Sequence, residues 1–138
     1  MIELGLFMAN CLGCFGVMGI QWSRQTAVYP LLKQEENWQF VGRVLARERY
    51  AVRVLMGLEV LTGLALLAFP RWFASGFSSS MLLLLVLWGL TFLVGRPLVR
   101  KIQSTSDRET VQRLVRVEWL RTAGWTLRAG ILILVALV

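Results

Sequence analysis

The sequence predicts an all-α fold, an integral membrane four-helix bundle with helices 2 and 4 extended into the cytoplasm. Three observations carry this reading. Hydrophobic residues make up 57% of the chain and the mean hydropathy is +0.62, well above that of a soluble domain. The apolar residues gather in four stretches, about 4–22, 51–69, 79–97 and 119–138, each close to the ~20 residues that cross a bilayer. The charges lie mostly between the stretches. At 138 residues the chain reads as a single transmembrane domain over 1–138.

The distribution of charge sets the expected topology. Net charge is +7. Arg24, Lys33, Arg43, Arg47, Arg49 and Arg53 separate the first two spans, and Arg96, Arg100, Lys101, Arg108, Arg113 and Arg116 separate the last two. The link between the second and third holds only Arg71. A basic soluble protein would point to nucleic acid. Charges set between spans point to topology instead, and no nucleic-acid partner is expected. The positive-inside rule puts both basic loops in the cytoplasm and both termini outside. The expected location is the bacterial inner (cytoplasmic) membrane, as a multi-pass protein. MIELG at the start offers no basic residue, and no small-x-small site precedes Trp22, so the first stretch reads as a retained span. Histidine is absent and acidic residues are few, so neither a metal site nor a cofactor is expected.

Each element follows in order. Gly5, Ala9, Gly13, Gly16 and Gly19 in the first span let helix backbones approach closely in lipid. Cys11 and Cys14 form a C-x-x-C without nearby charge. They read as small packing residues, the alternative being a membrane thiol pair facing the outer side. Tyr29-Pro30 is predicted to end the first helix. KQEEN then makes a polar turn, with Asn37 as the cap of the next helix. No proline follows until Pro70, giving a second helix of about 32 residues, ~48 Å long. Trp72 in the short link suits the headgroup layer. The third span is the most uniformly apolar and is predicted to end at Gly95-Arg96-Pro97. Ser106 and Glu109 have capping-box spacing, with Asp107 favourable at the positive helix end. From there a fourth helix of about 32 residues runs to Val138.

The two hairpins hint at an internal duplication. Pro30-Leu31-Leu32-Lys33 resembles Pro97-Leu98-Val99-Arg100. With a two-residue gap, Arg47 matches Arg116, Tyr50 matches Trp119 and Leu58 matches Leu127. The repeat would be two parallel helical hairpins.

Glu59 and Arg128 fall near the middles of the second and fourth spans, at equivalent positions of that repeat. A lone charge at such depth costs about 2.5–3.5 kcal/mol on insertion scales. Glu59 is the only acidic residue at the height of Arg128, so a buried ion pair is expected. Glu118, Arg121, Trp125 and Arg128 share one face of the fourth helix. With Gln21, Arg24, Thr62, Thr91 and Arg96 they are expected to enclose a polar cavity open to the cytoplasm. Arg121, near the cytoplasmic boundary, is expected to snorkel to water or phosphate. Such a network either fixes helix register or serves as an anionic-ligand site, an ion path or an active site.

Tyr29-Pro30 after the first span, Glu59 in the second, Thr91 and Pro97 in the third, and the Trp119, Arg121, Thr122, Trp125 and Arg128 run in the fourth resemble a loose bacterial family of small four-span membrane proteins. The pattern is similar in outline to the anthrone-oxygenase-like membrane family. The resemblance implies four spans. Against an oxygenase activity, Leu98 and Val99 stand where those relatives commonly place an Asn.

Three functions compete. The first is an accessory or self-assembling subunit that binds a partner protein or anionic membrane lipid, as a homo-oligomer or within a larger membrane complex. The second is a cofactor-independent membrane enzyme on a lipophilic, quinone-like or aromatic substrate, with Glu59 as acid/base and Arg121 and Arg128 stabilising an oxyanion. The third is a small proton or anion transporter using the same residues. The first is preferred.

Overall fold

The computed structural model describes residues 1–74, 76–104 and 107–137. Among these the secondary structure is helical throughout, with no strand. The elements are α1 (Ile2–Ser23), α2 (Trp38–Leu67), the short α3 (Pro70–Ala74), α4 (Phe77–Gly89), α5 (Arg96–Ser104) and α6 (Arg108–Leu137). Four continuous helical rods result: Ile2–Lys33, Trp38–Leu67, Phe77–Ser104 and Arg108–Leu137, each long and apolar enough to cross a membrane. Only 28–33% of each apolar window is buried inside the protein. The rest faces outward, as a hydrocarbon surround requires and water would not favour.

The rods form a ring. α1 packs against α2 and α6, α4 packs against α6, and α5 packs against α2. Sequence neighbours run antiparallel, so α2 and α6 lie diagonally across the middle. Two cores stack along the axis. One fills the half nearer the chain termini and includes Phe7, Val17, Met56, Leu84, Trp125 and Leu132. The other lies at the basic end and gathers Tyr29, Leu32, Trp38, Leu45, Ile102 and Leu114.

Neither of the two inner prolines ends its rod where the sequence predicts. The first rod passes from α1 through a π-helical turn, Arg24–Val28, into a 3-10 turn, Tyr29–Lys33. The third passes from α4 through a π-helical stretch, Leu90–Gly95, into α5. A proline is excluded from a helix interior because it lacks an N–H and collides with the carbonyl four residues earlier. A wide π-turn just before the proline relieves both problems, and Pro30 and Pro97 then occupy the opening turn of a fresh segment, where the N–H is not needed. Helices 2 and 4 extend at the basic end, as expected, and α5 extends beside them.

Helix starts also differ in detail. Asn37 sits at the N-terminus of α2 but makes no capping bond; its amide donates to Gln34 Oε1 instead, at 2.9 Å. Ser106 lies outside the described residues. Asp107 caps α6, accepting from the Glu109 N–H at 3.1 Å and the Thr110 hydroxyl at 2.9 Å. These hydrogen bonds hold the Asp107 carboxyl below the usual range.

The buried positions repeat between hairpins. In the register set by the prolines, Asn10, Gly13, Cys14 and Val17 correspond to Phe77, Ser80, Met81 and Leu84, and all eight are buried. In the register set by Glu59 and Arg128, Val41, Leu45, Val52 and Met56 correspond to Thr110, Leu114, Arg121 and Trp125, again all buried. The two π-turns fall at matching places before matching prolines. Helix phase alone does not require this last agreement, and it is the best support for a duplicated hairpin.

Candidate functional site

The polar residues divide into two clusters rather than one cavity. The central cluster is built on Arg128, which has no exposed surface. Its Nη1 donates to Glu59 Oε1 at 2.8 Å, its Nη2 to Asn10 Oδ1 at 3.0 Å and its Nε to the Ser80 carbonyl at 3.3 Å. One guanidinium thereby ties α6 to α1, α2 and α4. Asn10 also donates to the Glu59 carbonyl at 2.7 Å and to the Thr62 hydroxyl at 3.1 Å. Thr62 belongs to this cluster through that bond. The expected Glu59–Arg128 ion pair is present. Cys14 is fully buried, Cys11 is partly buried, and both are free thiols.

Gly13 explains how Glu59 fits. A Cβ at Gly13 would lie 2.5 Å from Glu59 Cγ. Its counterpart Ser80 presents the carbonyl that Arg128 uses. The two charged residues therefore sit against equivalent positions of the two hairpins. Trp125, also fully buried, stands between Arg128 and Arg121 along α6. The Arg128 guanidinium lies 5.6 Å from its ring centroid, close enough for a cation–π contribution.

The second cluster lies at the basic end. Arg121 is 4% exposed and does not reach out to solvent. It turns inward and donates to Glu118, one turn away on α6. Rotation about the axis decided this: residue 121 lies on the packed face, so depth alone misplaced it. Gln21 bridges the pair, its amide nitrogen 3.1 Å from Glu118 Oε2 and its oxygen 2.9 Å from Arg121 Nη2 in the orientation that satisfies both. Gln25 donates to the Thr122 hydroxyl at 3.1 Å, and Arg24 Nε donates to Glu48 at 2.7 Å.

Beside these pairs is a cavity of about 50 Å³ lined by Arg24, Tyr29, Arg49, Thr91, Arg96, Glu118 and Arg121, with Leu45, Val52, Gly95 and Val99 completing the wall. Four pairs of equivalent repeat positions contribute: Arg24 with Thr91, Tyr29 with Arg96, Arg49 with Glu118 and Val52 with Arg121.

A wider groove of about 440 Å³ opens on the outside of the same end. Lys33, Arg108 and Arg116 supply its charge, and Leu32, Trp38, Val111 and Val115 its apolar surface. Tyr29 forms part of both walls.

The sequence expected one cavity holding Gln21, Arg24, Thr62, Thr91, Arg96, Glu118, Arg121, Trp125 and Arg128; the structure instead joins Thr62 to the Glu59–Arg128 cluster and gathers Gln21, Arg24, Thr91, Arg96, Glu118 and Arg121 at the basic end. Sequence reasoning missed Asn10, Ser80, Gln25, Glu48 and Arg49. An amide inside an apolar span was the available signal for Asn10. Compared with family models, curated proteins and solved structures, the chain matches none.

Proposed function

We propose that the chain is a binding subunit of a bacterial inner membrane, holding an anionic lipid headgroup at its basic end rather than turning over a substrate at its charged centre. The groove beside α6 carries this reading. Three basic side chains and an apolar surface line it, and among the described residues no carboxylate does. That combination suits an amphiphile with a negative head and an acyl tail. The twelve basic residues of the two long loops, against Arg71 in the short one, support a cytoplasmic position for this end, where anionic lipids give the leaflet its negative potential.

Two other readings relied on Glu59, as acid/base group or as part of a proton path. Glu59 and Arg128 have no exposed surface, and neither lines the cavity or the groove described above. A group in those roles needs contact with substrate or water. Glu59 and Arg128 instead act as the bundle's fastening, and the resemblance to anthrone-oxygenase-like proteins is proposed for the architecture alone.

Native mass spectrometry of protein released from nanodiscs tests the reading. Phosphatidylglycerol is expected to remain bound while phosphatidylcholine leaves. Replacing Lys33, Arg108 and Arg116 together by Gln should remove roughly 3 kcal/mol, at about 1 kcal/mol for each basic residue near a charged surface. Equal retention of both lipids, or full retention by the triple variant, would overturn it.

A further inference from the structure

The cavity between the two π-turns has a charge imbalance that the protein's own residues do not resolve. Arg24, Arg49, Arg96 and Arg121 all reach it, and among the described residues Glu118 is the only carboxylate in its wall. Glu48 pairs with Arg24 from outside the wall. Even with both carboxylates counted, two guanidinium charges remain. Among the described residues neither Arg49 nor Arg96 has a carboxylate within ion-pair distance. Arg96 lies over the Phe92 ring at 4.8 Å, which leaves its in-plane donors unused by a carboxylate.

The donors are also buried and unmet. Arg121 is almost entirely enclosed, yet its Nε has no hydrogen-bond partner. Arg49 Nη2 is likewise buried without one. A buried N–H without an acceptor is costly, and more so when it belongs to a charged group. Water alone would satisfy the hydrogen bonds but not the charge. A cavity of about 50 Å³ has room for about three to five waters, at ~10–15 Å³ of such space for each. One carboxylate or phosphate group is of similar bulk.

The backbone prepares the place. Each π-turn widens its rod just before a proline, at Arg24–Val28 and Leu90–Gly95. Arg24 lies in the first of these turns and Arg96 follows directly on the second. Arg49 and Arg121 come from the two rods that face each other diagonally. Guanidiniums approaching from four helical segments match the planar, multidentate geometry with which arginine grips oxyanions.

We propose that this cavity is a binding site for a single oxyanion group, a carboxylate or phosphate, held by Arg49, Arg96 and Arg121 and distinct from the lipid groove. It takes either a free anion or a headgroup entering from the membrane surface; the chemistry is the same. The site does not depend on the groove reading, since the two share only Tyr29.

The test uses the full chain in zwitterionic phosphatidylcholine nanodiscs, so that no anionic lipid competes. Inorganic phosphate is titrated against chloride at constant ionic strength, and Tm is read. A saturable rise in Tm with phosphate alone is expected. Arg49→Gln should move the midpoint about tenfold higher, and Arg49→Lys, which keeps charge but loses the fork, should fall between. Arg71→Gln, at the opposite end of the bundle, should match the parent. Where inorganic phosphate has no effect, nanodiscs doped with phosphatidic acid supply the headgroup arm. Protection there that is lost in Arg49→Gln and Arg96→Gln supports the site with a lipid source. The same protection in those variants as in the parent, or no protection by either probe, overturns it.

Discussion

The two buried carboxylate–guanidinium pairs of this bundle look alike and do different work. Glu59 and Arg128 are remote in sequence, and their guanidinium meets three other rods at once. Charge there is balanced one to one and sealed from solvent. Glu118 and Arg121 are neighbours on one helix, so their bond ties nothing together by itself. Around them guanidiniums outnumber carboxylates, and a cavity remains. We read balance with enclosure as a fastening, and imbalance beside a cavity as the place proposed above for an oxyanion.

The largest effect should come from breaking the balanced pair. Glu59→Leu or Arg128→Leu strands the partner's charge, and losing one member of a buried pair costs about 3–5 kcal/mol. Unfolding by detergent titration should show it. Exchanging the two residues, Glu59→Arg with Arg128→Glu, should recover only part of the loss: the charges are paired again, but the Ser80 carbonyl that accepts from Arg128 would face a carboxylate. A double variant no better than either single would show that charge pairing is not what stabilises the bundle here.

Gly13→Leu comes next. A side chain there meets Glu59 and the Leu55 carbonyl, and overpacking of that kind costs about 1–3 kcal/mol. Gly19 has no neighbour within 4 Å of an added Cβ, so Gly19→Ala should stay within about 0.5 kcal/mol. Equal effects at the two glycines would mean that small residues in this helix serve no specific contact.

Glu118→Gln should cost less than Glu59→Leu, on the order of 1–2 kcal/mol, since an amide can still accept from Arg121. It also removes the one carboxylate that lines the cavity among the described residues. Phosphate should therefore protect this variant at lower concentration than the parent, which no purely structural role would produce.

The smallest effect concerns Asp107. Its carboxyl is held below the usual range by the Glu109 N–H and Thr110 hydroxyl. The stabilisation is present above the ordinary Asp range and fades as pH falls through the lowered folded value. Asp107→Ala should melt slightly below the parent at neutral pH, and the two should converge in acid. A difference that persists unchanged into strong acid would assign the effect to something other than the charged cap.

The four rods and the central pair were legible in the sequence because both rest on large costs. An apolar run of bilayer length has few alternatives, and a charge at mid-depth needs its opposite at the same height. What escaped was set by small local choices and by which of two signals wins. Arg121 has the right depth to snorkel, but the face it shares with Trp125 and Arg128 packs inward. Pro30 and Pro97 carry the ordinary signal for a helix end, and only the π-turns before them let the rods continue. Asn10 is one polar residue in an apolar span, and its worth appears only when Glu59, Thr62 and Arg128 converge on it.

The acceptors of Arg128 also carry an order in time. Asn10, Glu59 and Ser80 all precede it in the chain, so they emerge from the ribosome first. Every rod that the guanidinium depends on is therefore made before it. A rod out of place would leave Arg128 short of an acceptor at a depth where an unaccompanied charge is costly.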